Sequence, residues 1–286
     1  MIKDTHPIEI SVVLPVYNGA TTLACALRSV FAQTLQNYEI VLLDDGSTDN
    51  SVKVAETFSD HRLHIIKDGT NRGLAYRLNQ GIDLARGRYI ARMDADDICF
   101  PKRLERQFDF LETHSTIDLL GCRAIVFRGG KEIIGLMPFR AAHEEICARP
   151  WSGLYLCHPT WMGRAEWFRR HRYRFPEVLL AEDQDLLLRT YPTSQFACLE
   201  DVLLAYRKEN FHLGKTLRAR RSLLNTQLTH FLRRHQYFNA VLAIGITGVK
   251  IIVDCLAAVP GCEAVFFRRM SEPVSASVTK ELQLIE

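Results

Sequence analysis

The stretch YIARMDADD (Tyr89–Asp97) decides the fold class of this chain. Its first half is a short apolar run of the kind that lies inside proteins, and its second half carries three aspartates within four positions. Buried carboxylates are costly unless they are paired or bind a metal ion. The stretch therefore indicates a buried strand whose carboxyl end reaches a polar, ligand-binding edge of a sheet.

Further apolar runs of strand length lie on the amino-terminal side of this stretch, at Ile10–Val16, Glu39–Asp45 and Leu63–Lys67. Between them, apolar residues recur every three or four positions, which predicts helices. Strands that alternate with helices form βαβ units, so we expect an α/β fold with a parallel sheet covered on both faces. From about residue 117, IDLLGCRAIVFRGGKEIIGLM predicts strands around the Gly129–Gly130 turn, which adds an antiparallel part.

The composition excludes several classes of protein. Of the 286 residues, 47% are hydrophobic and 24% are charged, which argues against extensive disorder. The net charge of +3 is too small to indicate a nucleic-acid partner. Eight cysteines without a C-x-x-C pair indicate neither a zinc site nor a disulfide framework. Because the first residues lack the long apolar core of a signal peptide, we expect a reduced, cytoplasmic setting.

Polar clusters follow the predicted strands, where ligands bind in open parallel sheets. They are PVYNG (15–19), DDGSTD (44–49), KDGTNRG (67–73) and DADD (94–97). Taken alone, DDGSTD is equally well explained as a turn followed by helix-capping residues. The aspartates of DADD repel one another, and Mg²⁺ or Mn²⁺ would compensate that charge while also binding a diphosphate. Neither GxxxxGK[ST] nor GxGxxG occurs, so P-loop and dinucleotide redox chemistry are unsupported.

Five motifs in order resemble those of family 2 glycosyltransferases. They are SVVLPVYNGATTLACALRSVFAQT, EIVLLDDGSTDNS, TNRGLAYRLNQGIDLARGRYIARMDADDICFPKRL, HPTWMGRAEWF and AEDQDLLLR, and they run from about Ser11 to Arg189. The resemblance implies the GT-A (Rossmann-like) fold, with a mixed, mostly parallel sheet and helices on both faces. It also implies a metal-dependent, inverting transfer of a sugar from a nucleotide-diphosphate donor, with a UDP-sugar favoured.

The resemblance assigns the donor side of the site residue by residue. Pro15 and Tyr17 match the first nucleotide-binding loop, in which the tyrosine ring packs near the base. Asp45 matches the residue that accepts a hydrogen bond from the uracil ring. Asn71 and Arg72 match the loop that closes over the nucleotide.

The resemblance also assigns a metal site that would hold Mn²⁺ or Mg²⁺. Asp94 and Asp96 match the D-x-D pair of the family. The counterpart of Asp96 ligates the metal, and that of Asp94 lies near the ribose and the metal. We expect Asp97 to cap the following turn instead.

On the acceptor side, Asp183 in AEDQD matches the general base that deprotonates the attacking hydroxyl, and we expect Glu182 to support it. From the residues alone, Asp183 is better explained as a charge stabilised at a helix N-terminus. His158, in a His-Pro pair, is either a structural histidine or a contact to the diphosphate or acceptor. We expect the nearby aromatic residues to pack in the core rather than to stack on sugars: Trp151, Tyr155 and Trp161.

The sequence divides into a glycosyltransferase domain (1–214), C-terminal helices (215–270) and a flexible tail (271–286). The first of these helices is basic, and the second, FNAVLAIGITGVKIIVDCLAAV, is apolar except for one narrow polar stripe. The stripe consists of Asn239, Thr247, Lys250 and Asp254. Arginines flank the apolar segment on both sides, which disfavours a single membrane crossing: Arg233, Arg234, Arg268 and Arg269. We expect segment 236–270 to lie on an anionic membrane surface, with docking on the protein and insertion as alternatives.

These observations predict an enzyme that works peripherally at the cytoplasmic face of the membrane, on a glycan or lipid-linked acceptor of surface polysaccharide synthesis. Processive synthases of the family that this sequence resembles typically carry a Q-x-x-R-W motif after the base. None occurs here, so the resemblance favours transfer of a single sugar. A sugar nucleotidyltransferase is an alternative, although PVYNGATT supplies no basic, glycine-rich phosphate loop. A non-catalytic partner protein with the same fold is another, against which the intact Asp94, Asp96 and Asp183 argue.

Overall fold

The computed structural model describes residues 7–130, 132–209, 212–259 and 272–284. Within these residues, helices surround a nine-stranded sheet. The strands are β1 (Ile10–Val16), β2 (Tyr38–Asp44), β3 (Leu63–Lys67), β4 (Tyr89–Arg92), β5 (Ile98–Cys99), β6 (Leu119–Arg128), β7 (Glu132–Leu136), β8 (Met162–Arg164) and β9 (Phe196–Arg207). The helices are α1 (Leu23–Phe31), α2 (Ser51–Glu56), α3 (Leu74–Leu84), α4 (Arg103–Thr113), α5 (His143–Cys147), α6 (Ala165–Arg170), α7 (Glu182–Thr190), α8 (Leu213–Arg233), α9 (Tyr237–Ala257) and α10 (Ala276–Leu284).

The sheet is mixed, and its parallel part is built from the strands that the first hundred residues predict. The strand order is β3-β2-β1-β4-β8-β6-β9-β5, with β7 beside β6. Strands β3, β2, β1 and β4 are parallel to one another, whereas β8 is antiparallel to both of its neighbours. The predicted hairpin around Gly129–Gly130 is present as the antiparallel pair β6 and β7. The structure confirms the predicted α/β fold class.

Both faces of β1, β2 and β4 are buried, which explains their mostly apolar sequences, whereas the edge strand β3 is only partly buried. Along β1, Val12 and Leu14 pack in a core with α1, while Val13 points to the opposite core with α3. Helix α3 comes very close to the sheet at Gly81, because a Cβ atom there would lie 2.4 Å from Cγ1 of Val13. Close helix-to-strand packing at this point requires glycine.

The polar stripe of α9 contacts both α8 and the preceding part of the chain. Thr247 and Asp254 are buried, and Asp254 forms an ion pair with Arg220 of α8 at 3.0 Å. The ammonium group of Lys250 donates to the carbonyl oxygen of Ser152 at 2.5 Å. The stripe therefore faces the protein, where these hydrogen bonds and this ion pair compensate the cost of burying its polar groups. Of the flanking arginines, Arg268 and Arg269 lie outside the described residues.

The opposite face of α9 is apolar and exposed, even though the helix is docked. It consists of Phe238, Val241, Ile244, Val249, Ile252, Leu256 and the following Val259, each more than half exposed. Within the described residues, Tyr237–Ala257 is one helix with the length and composition needed to cross a membrane, at a mean hydropathy of 2.1. Length and composition alone are weak evidence for a crossing, since apolar helices of soluble proteins share them.

The tail differs from its prediction. Instead of a flexible segment from residue 271, the structure has helix α10, whose Leu282 is fully buried against β6. Val274 and Val278 pack in the same cluster, so an apolar residue recurs every four positions. This spacing places one apolar stripe on a helix, which is the signal that the sequence interpretation overlooked.

Candidate functional site

Part of the predicted donor side lines one cavity at the carboxyl edge of β1 and β4, whereas Asp45, Asn71 and Arg72 are absent from its lining. This cavity has a volume of about 500 Å³, and its lining includes Pro15, Tyr17, Asp94 and Asp96. Pro15 is buried at the end of β1, whereas the ring of Tyr17 is 54% exposed. An exposed tyrosine ring at the edge of a cavity can contact a planar ligand without displacing protein atoms.

Asp45 fastens the loop that follows β3. Its carboxylate accepts hydrogen bonds from the backbone N–H groups of Arg72 (2.8 Å) and Gly73 (2.9 Å). The guanidinium of Arg77, which is fully buried, donates to the same carboxylate from Nε at 2.9 Å. Gly46 lets the two loops meet, because a Cβ atom at this position would lie 2.8 Å from the backbone nitrogen of Asn71. The structure thus joins Asp45, Asn71 and Arg72 in one network, and their contacts with a nucleotide stay a prediction.

Three carboxylates cluster after β4, where DADD predicts a metal site. Side-chain oxygens of Asp94, Asp96 and Asp97 lie within 4.8 Å of one another. Asp94 forms an ion pair with the buried Arg92 at 2.5 Å, and Asp96 is exposed. Asp97 differs from its predicted role as a turn cap: it is fully buried, and its Oδ1 accepts from the backbone N–H of Arg207 at 2.9 Å.

The second oxygen of Asp97, Oδ2, is buried and has no hydrogen-bond partner among the described residues. Burial and the nearby Asp94 and Asp96 carboxylates raise the pKa of Asp97 well above its ordinary value. A buried oxygen without a partner needs an explanation, and a cation is one that suits an acidic cluster. Three carboxylates supply the hard oxygen atoms that Mg²⁺ and Mn²⁺ prefer. The chemistry of this residue set therefore fits a divalent cation.

A second cavity, of about 520 Å³, is also lined by Asp96, and most of its charged side chains are basic. Arg207 joins the two cavities, since it lines both and donates from Nε to the carbonyl oxygen of Asp96 at 2.9 Å. Burial and the neighbouring Lys215 and Arg220 lower the pKa of Lys208. The basic side chains lining this cavity are Arg207, Lys208, His212, Lys215 and Arg220. Sequence reasoning missed them, because β9 and α8 bring them to the acidic cluster from more than a hundred residues away.

The predicted base lies at the start of α7. Ala181, just before the helix, has the left-handed φ of 61°, and Asp183 then lines a third cavity of about 740 Å³. Burial raises the pKa of Asp183, and burial together with the charge of Asp183 raises the pKa of Glu182 to about 7. Asp185 is excluded as a base because it forms ion pairs with Arg174 and with Arg189, the latter at 2.9 Å. A carboxylate with a raised pKa in a cavity can accept a proton near neutral pH.

His158 is buried behind this acceptor side. Its Nε2 hydrogen-bonds with the hydroxyl of Tyr173 at 2.8 Å, and its Nδ1 lies 4.0 Å from Glu182. Burial, and then the positive charge of Arg92, lower the pKa of His158 well below its ordinary value, so the ring is neutral. These contacts favour the structural alternative, although His158 also lines the third cavity.

The aromatic residues nearby have different surroundings. Trp161 is fully buried, as predicted, and its indole N–H donates to the carbonyl oxygen of Leu156 at 3.3 Å. Tyr155 is instead 39% exposed and lines the third cavity, with the guanidinium of Arg140 at 5.8 Å from its ring. The prediction of core packing was therefore wrong for Tyr155, which lines the cavity while its neighbours Leu154 and Leu156 pack in the core.

Comparisons with known proteins identify the family. The family model described as "Glycosyl transferase family 2" matches residues 11–172, more than half of the chain. A "Putative glycosyltransferase EpsE" of Bacillus subtilis is 36% identical over 192 residues, which cover 64% of this chain and 66% of that protein. An uncharacterized glycosyltransferase of Methanocaldococcus jannaschii is 28% identical over 249 residues, covering 84% of this chain and 86% of its own length.

Two solved structures share the fold. Residues 1–349 of S. aureus TarS, in complex with UDP, superpose with a TM-score of 0.62 at 20% identity, covering 97% of this chain and 90% of that one. The mannosyltransferase PcManGT of Pyrobaculum calidifontis, in complex with GDP-Man and Mn²⁺, superposes with a TM-score of 0.59 at 15% identity. The second alignment covers 97% of this chain and 86% of that one.

Proposed function

This chain belongs to glycosyl transferase family 2, and on that premise we propose that it transfers a single sugar from a nucleotide-diphosphate donor. The proposed acceptor is the hydroxyl of a glycan or lipid-linked molecule, and the transfer inverts the configuration at the anomeric carbon. One observation carries the proposal. Asp96 lies between a cavity with an exposed tyrosine and a basic cavity, while Asp183, a carboxylate with a raised pKa, lines a third cavity. The three cavities offer separate places for a nucleoside, a diphosphate and an acceptor.

A UDP-sugar is the donor that we propose. Support comes from the complex of TarS with UDP-GlcNAc. Because PcManGT was solved with GDP-Man, the donor panel described below also includes nucleotide sugars with other bases. In this chain, Tyr17 would pack near the base, Asp45 would accept a hydrogen bond from it, and Asn71 with Arg72 would cover the nucleotide. Pro15 shapes the same cavity from the end of β1.

Asp94 and Asp96, with the buried Asp97 behind them, would hold Mn²⁺ or Mg²⁺. When bound, the ion supplies positive charge that stabilises the departing diphosphate. The chain itself adds to this charge through Arg207 and Lys215, which line the cavity beside Asp96. Cations fixed in place before the reaction stabilise developing negative charge without reorganising at the moment of transfer.

Asp183 is the base in the proposed reaction. It takes the proton of the acceptor hydroxyl while that oxygen attacks the anomeric carbon, and the bond from this carbon to the diphosphate oxygen breaks. One carboxylate and one displacement invert the anomeric configuration, whereas retaining glycosidases use a second carboxylate as a nucleophile. Glu182, whose pKa is raised to about 7, supports Asp183 from the adjacent position.

We propose the cytoplasmic face of the membrane as the place of this reaction, within surface polysaccharide synthesis. Support comes from the exposed apolar face of α9 and from the exposed Arg233 and Arg234 that precede it. An apolar face next to basic side chains is the combination that binds anionic lipid surfaces.

A panel of nucleotide sugars tests the proposal. The wild-type chain, incubated with Mn²⁺ and an acceptor extract, should release a nucleoside diphosphate from one donor, and NMR of the product should show inversion. Retention of configuration would contradict the single-base displacement. Release of pyrophosphate from a nucleoside triphosphate and a sugar phosphate would favour a nucleotidyltransferase, and binding without any turnover would favour a non-catalytic partner.

A further inference from the structure

The third cavity differs in character from the two that surround Asp96. At about 740 Å³ it is the largest of the three, and apolar side chains from several segments form much of its wall. Asp183 and the half-exposed Tyr155 also line it, and Arg140 lies beside the tyrosine ring. A sugar ring fits against an aromatic face next to a base, but the remaining apolar wall offers a sugar no hydrogen-bond partners.

Helix α9 supplies one side of this cavity. Ile246, Val249 and Lys250 line it, and Lys250 is fixed by its hydrogen bond to the carbonyl of Ser152 on the neighbouring wall. The same helix is held on α8 by the ion pair between Asp254 and Arg220. The docked position of α9 therefore shapes the cavity that contains Asp183.

The cavity is continuous with the outer face of α9 at Val249. This residue lines the cavity and is also 57% exposed. On a helix, residues three, four and eight positions apart share a face, so Val241 and Ile252 extend the apolar surface in both directions from Val249. Val249 thus belongs both to the exposed apolar face of α9 and to the cavity that Asp183 lines.

The start of α9 carries the side chains expected where a helix meets a lipid surface. Tyr237 and Phe238 are exposed, and they follow the exposed Arg233 and Arg234 at the end of α8. Aromatic rings favour the interface between water and lipid, and arginines favour anionic headgroups. Charge and apolarity together therefore favour a lipid bilayer as the occupant of this face.

We propose that the third cavity binds the apolar end of a lipid-linked acceptor, which enters over Val249 from the bilayer on which the outer face of α9 rests. The inference rests on the proposed function and narrows it, because the acceptor is an amphiphile rather than a free glycan. The acceptor hydroxyl lies at Asp183, its sugar ring lies against Tyr155, and its apolar chain runs between Ile246 and the wall formed by residues 137–140 and 152–157.

Binding of n-alkyl β-glucosides of increasing chain length tests the cavity directly. Each probe is titrated calorimetrically into the full chain below its critical micelle concentration. The dissociation constant should fall about fourfold for each methylene group that the cavity buries. A dissociation constant that does not depend on chain length would overturn the proposal.

Two matched variants of α9 separate the cavity from the membrane face. Val249→Glu places a carboxylate in the apolar path and should remove the dependence on chain length. Val241→Glu makes the same change on the same face, about 12 Å away along the helix and outside the cavity, and should keep it. Both positions are exposed, so circular dichroism should show unchanged folding. Equal chain-length dependence in Val249→Glu and wild type would overturn the assignment.

Sedimentation with vesicles of phosphatidylcholine and about one third phosphatidylglycerol tests the entry from a bilayer. The wild-type chain should bind, and both variants should bind at least tenfold more weakly. Failure of the wild-type chain to bind the vesicles would overturn the proposal. A wild-type dimer that Val241→Glu dissociates would also overturn it, because a second copy of the chain would then cover the outer face of α9. Glucoside binding requires no donor and no turnover, so its outcome is independent of the nucleotide-sugar panel.

Discussion

The substitution Asp45→Asn provides the sharpest test of how the loop after β3, which is predicted to cover the nucleotide, is held in place. The side chain of Asp45 is almost fully buried and accepts from two backbone N–H groups and from Nε of Arg77, which is fully buried. An asparagine keeps the shape, but it loses the negative charge and turns an NH₂ group toward one of these donors.

Breaking one side of a buried ion pair costs about 3–5 kcal/mol. We expect about 3 kcal/mol for Asp45→Asn, at the lower end, because Asp68 still neutralises Arg77 from the other side at 2.6 Å. Urea unfolding should therefore show a lower free energy of unfolding with an unchanged dependence on urea concentration. A loss of less than about 1 kcal/mol would refute the reasoning, since this is the range of an exposed ion pair.

Arg77→Met is the matched control, because it removes the same ion pair and leaves the carboxylate of Asp45 in place. Both variants should lose stability, and calorimetry with UDP then separates two roles of Asp45. If Asp45 binds the base directly, Asp45→Asn should lose more affinity for UDP than Arg77→Met. Equal losses would mean that Asp45 acts only by holding the loop of Asn71 and Arg72.

Three further predictions concern the reacting groups. Asp183→Asn should bind UDP normally and lose about 10²- to 10⁴-fold in turnover, measured as nucleotide release; turnover within tenfold of wild type would contradict the base. Asp96→Ala should abolish Mn²⁺-dependent donor binding in a thermal-shift assay without lowering stability, because it relieves repulsion among carboxylates; an unchanged Mn²⁺ response would argue against the metal site. Burial raises the pKa of Asp183, and a base must be deprotonated to act. Turnover should therefore fall as the pH drops through that raised pKa, at a pH above the ordinary aspartate range. A rate that stays constant down to a pH of about 4 would contradict this expectation.

The parallel half of the sheet was predictable because its signals are local. The runs Ile10–Val16 and Leu63–Lys67 coincide with β1 and β3, and Glu39–Asp45 is displaced from β2 by one residue. Burial on both faces makes the central strands such as β1 apolar along their length, and turn and capping residues mark the strand ends. The orientation of α9 was harder to predict, because a polar stripe on an apolar helix can face water or buried partners, and Arg220 and Ser152 lie far away in the sequence.

The positions of the candidate residues were predictable where they follow from local motifs, and less so where they depend on distant partners. Asp94, Asp96 and Asp183 lie beside cavities at the expected edge of the sheet. The surroundings of Asp97 were missed, since its hydrogen-bond partner at Arg207 is 110 positions later in the chain. The basic lining beside Asp96 was missed for the same reason, because β9 and α8 carry no motif of their own.

The hydrogen bond that fastens Asp97 has an evolutionary consequence, because its donor is the main chain of residue 207. Every amino acid except proline offers that N–H group, so mutation of the Arg207 side chain leaves the bond in place. Selection for this anchor alone would therefore exclude only proline at position 207. A preference for arginine there would instead report the side-chain contacts with the carbonyl oxygen of Asp96 and with the basic cavity.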